Sequence, residues 1–100
     1  MSDEEKRICF RLIVSGFVQS VGYRMFATDR ARKLGLDGWV RNRFDGTVEI
    51  LVAGPTKAVE EFIGLCYRGP EAARVDDIAM NPDSPPKVKG RRPQPMAWVN

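Results

Sequence analysis

Hydrophobic and polar positions follow two different periods along the first third of the chain. Between residues 8 and 14 they alternate singly, which predicts a strand with one buried face. The apolar face consists of Ile8, Phe10, Leu12 and Val14. Between residues 21 and 34 the apolar positions recur at steps of three and four, which predicts an amphipathic helix. Its stripe consists of Tyr23, Phe26, Ala27, Ala31 and Leu34. A strand-to-helix connection is therefore expected around residues 15–20.

The middle of the chain predicts a hairpin followed by a second helix. Residues 36–42 and 47–53 each have strand character, and the Asp45-Gly46 pair between them is a turn signal. Residues 56–67 have helical periodicity and end before Gly69-Pro70. The predicted buried stripe of this helix consists of Val59, Phe62, Ile63 and Cys66.

Two further strands complete the prediction. Residues 73–80 favour a fourth strand, and residues 96–99 favour a short last one. The resulting order β-α-β-β-α-β predicts an α+β, ferredoxin-like sandwich, in which an antiparallel sheet carries two helices on one face.

Length and composition bound this domain. A chain of 100 residues with 43% hydrophobic residues fits one packed domain covering residues 1–100, with a loose start at 1–7. Residues 81–95 predict an irregular loop rich in proline and basic residues. The net charge of +3 suits an anionic ligand. A basic run at 87–92 leaves nucleic-acid binding open, but a solvated loop is favoured because residues 47–53 carry no aromatic for base stacking.

Cysteine and histidine usage excludes several kinds of chemistry. The chain has no histidine and only two cysteines, so no zinc-ligand cluster or Ser/His or Cys/His pair is expected. Cys9 and Cys66 are predicted to be reduced core residues. No apolar run is long enough to span a membrane, and the acidic start is unlike a signal peptide. We therefore expect a cytoplasmic protein, with a monomer as the default.

The connection between the first strand and the first helix is the strongest candidate for chemistry. Residues 16–24 read Gly-Phe-Val-Gln-Ser-Val-Gly-Tyr-Arg. Backbone N–H groups of such a loop and of a helix start can bind an anion, and Arg24 can close over it. From composition alone, an ordinary strand-to-helix turn is the alternative.

Two motifs together resemble the acylphosphatase family. Residues 16–24 are similar to the family loop Gly-x-Val-Gln-Gly-Val-x-Phe-Arg. Residues 38–49 are similar to its second motif, Gly-Trp-Val-x-Asn-x-x-Asp-Gly-x-Val-Glu. The pair, at this spacing, extends the resemblance over about residues 8–79. It implies a ferredoxin-like enzyme that hydrolyses acyl phosphates to a carboxylate and inorganic phosphate without a metal or cofactor.

The resemblance also implies roles for individual residues. Arg24 takes the place of the family's phosphate-binding arginine, and Asn42 that of its water-positioning asparagine. The implied phosphate-binding loop consists of Gly16, Phe17, Val18, Gln19, Ser20 and Val21. An acyl phosphate has a good leaving group, so binding of the phosphoryl oxygens and alignment of a water suffice without a strong acid.

The chain departs from the family pattern at the loop and in the tail. Ser20 replaces a glycine, which strains the loop if φ is positive and caps the helix if φ is negative. Tyr23 replaces phenylalanine and requires a partner for its hydroxyl. In the tail, a proline-rich and basic segment stands where the family has a regular last strand. These departures leave a second hypothesis open, a catalytically weak anion-binding or regulatory domain. Trp39 and the Asp45-Gly46 turn are expected to serve packing and turn geometry.

Overall fold

The computed structural model describes residues 6–84 and a short strand at 97–98, and it has the predicted order of elements. They are β1 (Arg7–Phe17), α1 (Tyr23–Lys33), β2 (Asp37–Asn42), β3 (Val48–Pro55), α2 (Thr56–Arg68), β4 (Arg74–Pro82) and β5 (Ala97–Trp98). The four longer strands pair in antiparallel fashion in the order β4-β1-β3-β2, and β5 adds to β2 in parallel. The predicted ferredoxin-like βαββαβ fold is confirmed.

Both helices pack on one face of the sheet because their apolar stripes match the inward positions of the strands. Leu12 and Val14 of β1 are fully buried there, as their alternation predicts. The buried helical side chains that they meet include Tyr23, Ala27, Ala31, Val59, Phe62 and Cys66. Thr28, which the periodicity places off the stripe, is only 7% exposed, because the short side chain fits beside the two buried alanines.

The opposite face of the sheet has a smaller apolar cluster. Leu51 and Ala53 of β3 are buried there with Cys9, and Trp39 packs against them. Every residue of β3 except Pro55 is buried, because β1 and β2 flank this strand on its two sides. Trp39 therefore contributes to sheet packing, as expected from the sequence.

Strand pairing places the start of β1 and the end of β4 at other residues than the sequence predicts. Arg7 begins β1 opposite Pro55, so the loose start predicted for residues 1–7 does not include it. At the other edge β4 continues to Pro82, opposite Phe10, two residues beyond the predicted strand. An edge strand tolerates a proline because its missing N–H need not reach a neighbour. Residues 83 and 84 follow β4 outside any strand, and Asp83 N donates to Cys9 O at 2.9 Å. The rest of the predicted loop, with its basic run, lies outside the described residues, whereas β5 falls within the predicted 96–99.

Both cysteines are free and buried, as predicted. Burial raises the pKa of the Cys66 thiol to about 12, which keeps it protonated. In the described part of the chain, no helix is long and apolar enough to cross a membrane.

Candidate active site

The phosphate-loop candidate starts later than the sequence predicts. Gly16 and Phe17 are the last residues of β1, where the pairing with β4 shifts between Ser15 and Gly16. A Cβ at Gly16, which has φ 126°, would lie 2.2 Å from the carbonyl oxygen of Arg74. Gly16 is thus required by the close approach of β4, and the connecting loop itself comprises residues 18–22.

The loop conformation settles the question raised by Ser20. Its φ is +64°, in the left-handed region that a non-glycine residue rarely adopts. The helix N-cap is Gly22, with φ 80° and no side-chain cap, so of the two alternatives for Ser20 the structure has the strained backbone and not the helix cap. Val18 anchors the loop, since its side chain is only 1% exposed and belongs to the core.

The start of α1 makes this loop electropositive. Its first turn contains no acidic residue, so the positive end of the helix dipole is not neutralised there. Within residues 18–22, no backbone N–H donates to a backbone carbonyl of the described chain. The first helical bond of the segment runs from Phe26 N to Gly22 O. Loop and helix start therefore offer several N–H groups to an anion.

A cavity of about 140 Å³ lies at this point, and it brings Arg24 and Asn42 together from different elements. Arg24 stands in the first turn of α1, and Asn42 is the last residue of β2. The other lining residues are Val18, Ser20, Gly22, Tyr23 and Met25. Of the predicted loop residues, Gly16, Phe17, Gln19 and Val21 do not line this cavity.

Met25 and Gly22 are lining residues that the sequence reasoning did not include in the site. Gly22 lies within residues 16–24, which resemble the family loop, whereas Met25 had no signal beyond its position in the predicted helix. Met25 is 64% exposed, unlike the buried apolar residues of α1, which fits a place at the rim of the cavity.

Asn42 presents an unpaired acceptor. Its Oδ1 atom is buried, and no described residue donates a hydrogen bond to it. A buried side-chain oxygen in that state favours a water or a ligand donor as its partner.

Asn42 also lines a wider, open depression of about 800 Å³. The remaining residues around it are Gln19, Arg41, Arg43, Phe44 and Asp45. Phe44 projects fully into solvent from the hairpin tip. Asn42 therefore lines both the small cavity and the larger surface depression.

The charge of Arg41 is largely balanced by a buried carboxylate. Arg41 Nε and Arg11 Nη1 donate to Glu49 at 2.8 and 3.1 Å, and the Glu49 side chain is only 4% exposed. Burial by itself raises the pKa of Glu49, but hydrogen bonds from Arg41 and Arg11 lower it below its ordinary value. The pairing across strands explains why this carboxylate is tolerated inside the sheet, a role that no sequence pattern indicated.

The turn after Asn42 is held by Asp45. The backbone N and the Oγ1 of Thr47 donate to Asp45 Oδ1 at 3.0 and 2.6 Å, and Gly46 adopts φ 91°. These hydrogen bonds lower the pKa of Asp45. Asp45 and Gly46 therefore have the structural role expected from the sequence.

Fold and cavity define a small α+β domain with a cavity at the N-terminus of its first helix. The family model described as acylphosphatase matches residues 10–91. Acylphosphatases of Rhodopseudomonas palustris and Acidiphilium cryptum are 52% and 53% identical over 83 residues, which are 83% of this chain and 84% and 91% of theirs.

The solved structure of an acylphosphatase from Bacillus subtilis has a TM-score of 0.83 and 36% identity, over 93% of this chain and 99% of that chain. An acylphosphatase structure from Coxiella burnetii has a TM-score of 0.84 and 25% identity, over 99% and 100% of the two chains. The chain belongs to the acylphosphatase family, which confirms the resemblance carried by its two motifs.

Proposed function

We propose that Arg24 and the backbone of residues 18–22 bind the phosphoryl group of an acyl phosphate, while Asn42 positions the attacking water. Hydrolysis of acyl phosphates to a carboxylate and inorganic phosphate is the reaction of this family and of this enzyme. The observation that carries the residue roles is that Arg24 and Asn42 line one cavity, and that the buried Oδ1 of Asn42 accepts no hydrogen bond from the described residues.

Phosphate binding follows from the chemistry of the groups at the cavity. A guanidinium can donate two parallel hydrogen bonds to two phosphoryl oxygens, which a point charge cannot do. The loop amides and the unneutralised end of α1 add donors and positive potential. Together they stabilise the charge that spreads over the equatorial oxygens in the transition state.

The water-positioning role follows from the acceptor on Asn42. Oδ1 accepts a hydrogen bond from the water and leaves a lone pair of the water oxygen free to attack phosphorus. The new P–O bond forms as the bond to the carboxylate oxygen breaks. The carboxylate leaves with that electron pair, and the proton of the water passes to a phosphoryl oxygen. Because a carboxylate is a stable leaving group, departure needs no general acid.

The same proposal covers partners and location. The substrate is a small acyl phosphate, and the enzyme acts as a cytoplasmic monomer without metal or cofactor. The last point follows from the proposed steps, which use only Arg24, Asn42 and backbone donors.

The test is the release of phosphate from benzoyl phosphate, with and without a chelator. Arg24→Ala is expected to lower kcat/KM by about a thousandfold and Asn42→Ala by about a hundredfold, the usual range for a lost transition-state hydrogen bond. Lys57→Ala, which removes an exposed cation from the first turn of α2, serves as the control and retains full activity, because that end of α2 lies away from the start of α1.

Unchanged activity in either site variant would contradict the proposed roles. Phosphate binding without turnover in the wild type would instead support the weak anion-binding domain. Loss of activity with the chelator would contradict the metal-free reaction.

A further inference from the structure

The side chain of Gln19 connects the phosphate loop to the hairpin that carries Asn42. Its Nε2 donates to the carbonyl oxygens of Arg43 and Thr47, at 2.7 and 2.9 Å. Both partners are acceptors only, so the NH2 end of the amide must face them. The contact is part-buried, which shields it from competition by water.

The two carbonyls that Gln19 binds close the turn directly after Asn42. Arg43 N donates to Thr47 O at 2.9 Å, and Gly46 N donates to Arg43 O at 3.2 Å. Arg43 is the next residue after Asn42. One amide group therefore holds both ends of the turn, and any shift of its donors acts on the backbone adjoining Asn42.

On its own side, Gln19 stands between Val18 and Ser20, which both line the small cavity. β1, which leads into the loop, and β2, which ends at Asn42, are not neighbours, because β3 lies between them. Sheet pairing therefore does not by itself fix the distance between the loop and Asn42. Contacts beyond the strand ends must fix it. Gln19 supplies such a contact with two hydrogen bonds.

We infer that Gln19 is a positioning residue, whose side-chain amide holds Asn42 and its water in line with a phosphoryl group bound in the loop. This inference rests on the proposed function and extends it, since the sequence motif assigned Gln19 only a backbone role. Attack in line requires the reacting atoms to be held within a few tenths of an ångström, and a displacement of about 1 Å costs on the order of a hundredfold in rate.

Gln19→Met tests the side chain, because methionine keeps the length and removes both donors. We expect kcat for benzoyl phosphate to fall by about tenfold to a hundredfold. Inhibition by inorganic phosphate should change less than about threefold, because Arg24 and the loop amides are retained. Ile63→Val, a partly buried core change on α2, controls for a general loss of stability.

A double-mutant cycle separates positioning from a merely structural role. If Gln19 acts through Asn42, then Gln19→Met in the Asn42→Ala background should change kcat less than about twofold. A loss by the same factor in both backgrounds, or no loss in the wild-type background, overturns the inference. If Asn42→Ala alone retains full activity, the proposed function fails instead, so the two failures are distinguishable.

Gln19→Glu adds a readout that loss of stability would not produce. The ionised carboxylate cannot donate and is repelled by the two carbonyls, whereas the protonated acid can donate one hydrogen bond. The ratio of its kcat to that of the wild type should therefore rise as the pH falls, while the ratio for Gln19→Met stays flat. A flat ratio for Gln19→Glu contradicts the role of the amide as a donor.

Discussion

The hydroxyl of Tyr23 donates a 2.7 Å hydrogen bond to the backbone carbonyl of Cys66. In a continuing helix that carbonyl would accept from the N–H four residues later, but residue 70 is a proline and has none. Tyr23, which is 1% exposed, thus supplies the missing donor and joins the start of α1 to the end of α2. The sequence predicted that a tyrosine at this position, where the family has phenylalanine, needs a partner for its hydroxyl. That partner is a backbone carbonyl in the last turn of α2.

Removal of this hydroxyl should weaken the fold. Tyr23→Phe leaves the carbonyl of Cys66 buried without a donor, and we expect the free energy of unfolding to fall by about 1–2 kcal/mol. Burial raises the pKa of Tyr23, so the hydroxyl remains a donor across the range in which the fold is measured. Urea unfolding checks the result, and Tyr67→Phe, at a 48% exposed tyrosine, should change it by less than about 0.5 kcal/mol. Equal losses in the two variants would contradict this account.

Ser20 should be replaceable by the family glycine with a gain in stability. A residue with a Cβ at φ +64° costs about 1 kcal/mol, which glycine avoids. We expect Ser20→Gly to raise the free energy of unfolding by up to about 1 kcal/mol and to retain activity. Ser20→Ala is the control, since it keeps the Cβ and should not be more stable than the wild type. A stabilised alanine variant would show that the hydroxyl, not the backbone, is unfavourable.

Arg24→Lys should separate charge from geometry at the phosphate site. Lysine keeps the positive charge but loses the bidentate fork, so we expect kcat/KM to fall by at least about tenfold. Inorganic phosphate at about ten times its dissociation constant should stabilise the wild type by about 1.4 kcal/mol, and this effect should shrink in the variant at the same concentration.

Chloride of matched ionic strength is the control in thermal unfolding. Equal protection of wild type and Arg24→Lys by phosphate would argue against a specific role of the guanidinium.

Glu49 should make the free energy of unfolding depend on pH in the acid range. Because its pKa is lowered in the folded protein, its contribution is present above the unfolded value, about 4.5, and is lost as the pH falls through the folded value. We expect Glu49→Gln to cost about 1–2 kcal/mol at neutral pH, less than for a fully buried pair because Arg11 and Arg41 are 41% and 45% exposed.

The deficit of Glu49→Gln relative to the wild type should shrink in acid, as measured by urea unfolding at several pH values. Glu60→Gln, at an exposed position of α2, should show neither the deficit nor its pH dependence. A deficit that persists unchanged in acid would assign the effect to packing.

Local periodicity was sufficient for the order of elements in the described chain. Apolar residues alternate singly in β1 and recur at steps of three and four in α1 and α2. Each pattern indicates that one face of the element is buried, and in this fold each of these elements does bury one face. The predicted ends of strands were less accurate where pairing with a neighbouring strand determines the end. β4 continues to Pro82 because β1 offers a partner there, which no feature of the segment itself indicates.

The two motifs were sufficient to indicate the acylphosphatase family, because each is a continuous run of residues that can be compared directly. The resemblance then implied the roles of Arg24 and Asn42, which stay predictions. The tertiary structure alone decided how these residues meet, since β3 separates β1 from β2 and only the sheet order brings the loop and Asn42 to one cavity. It also decided the positive φ of Ser20 and the partners of Gln19 and Tyr23. These depend on backbone groups distant in the sequence, whose positions exist only once the sheet and helices have packed.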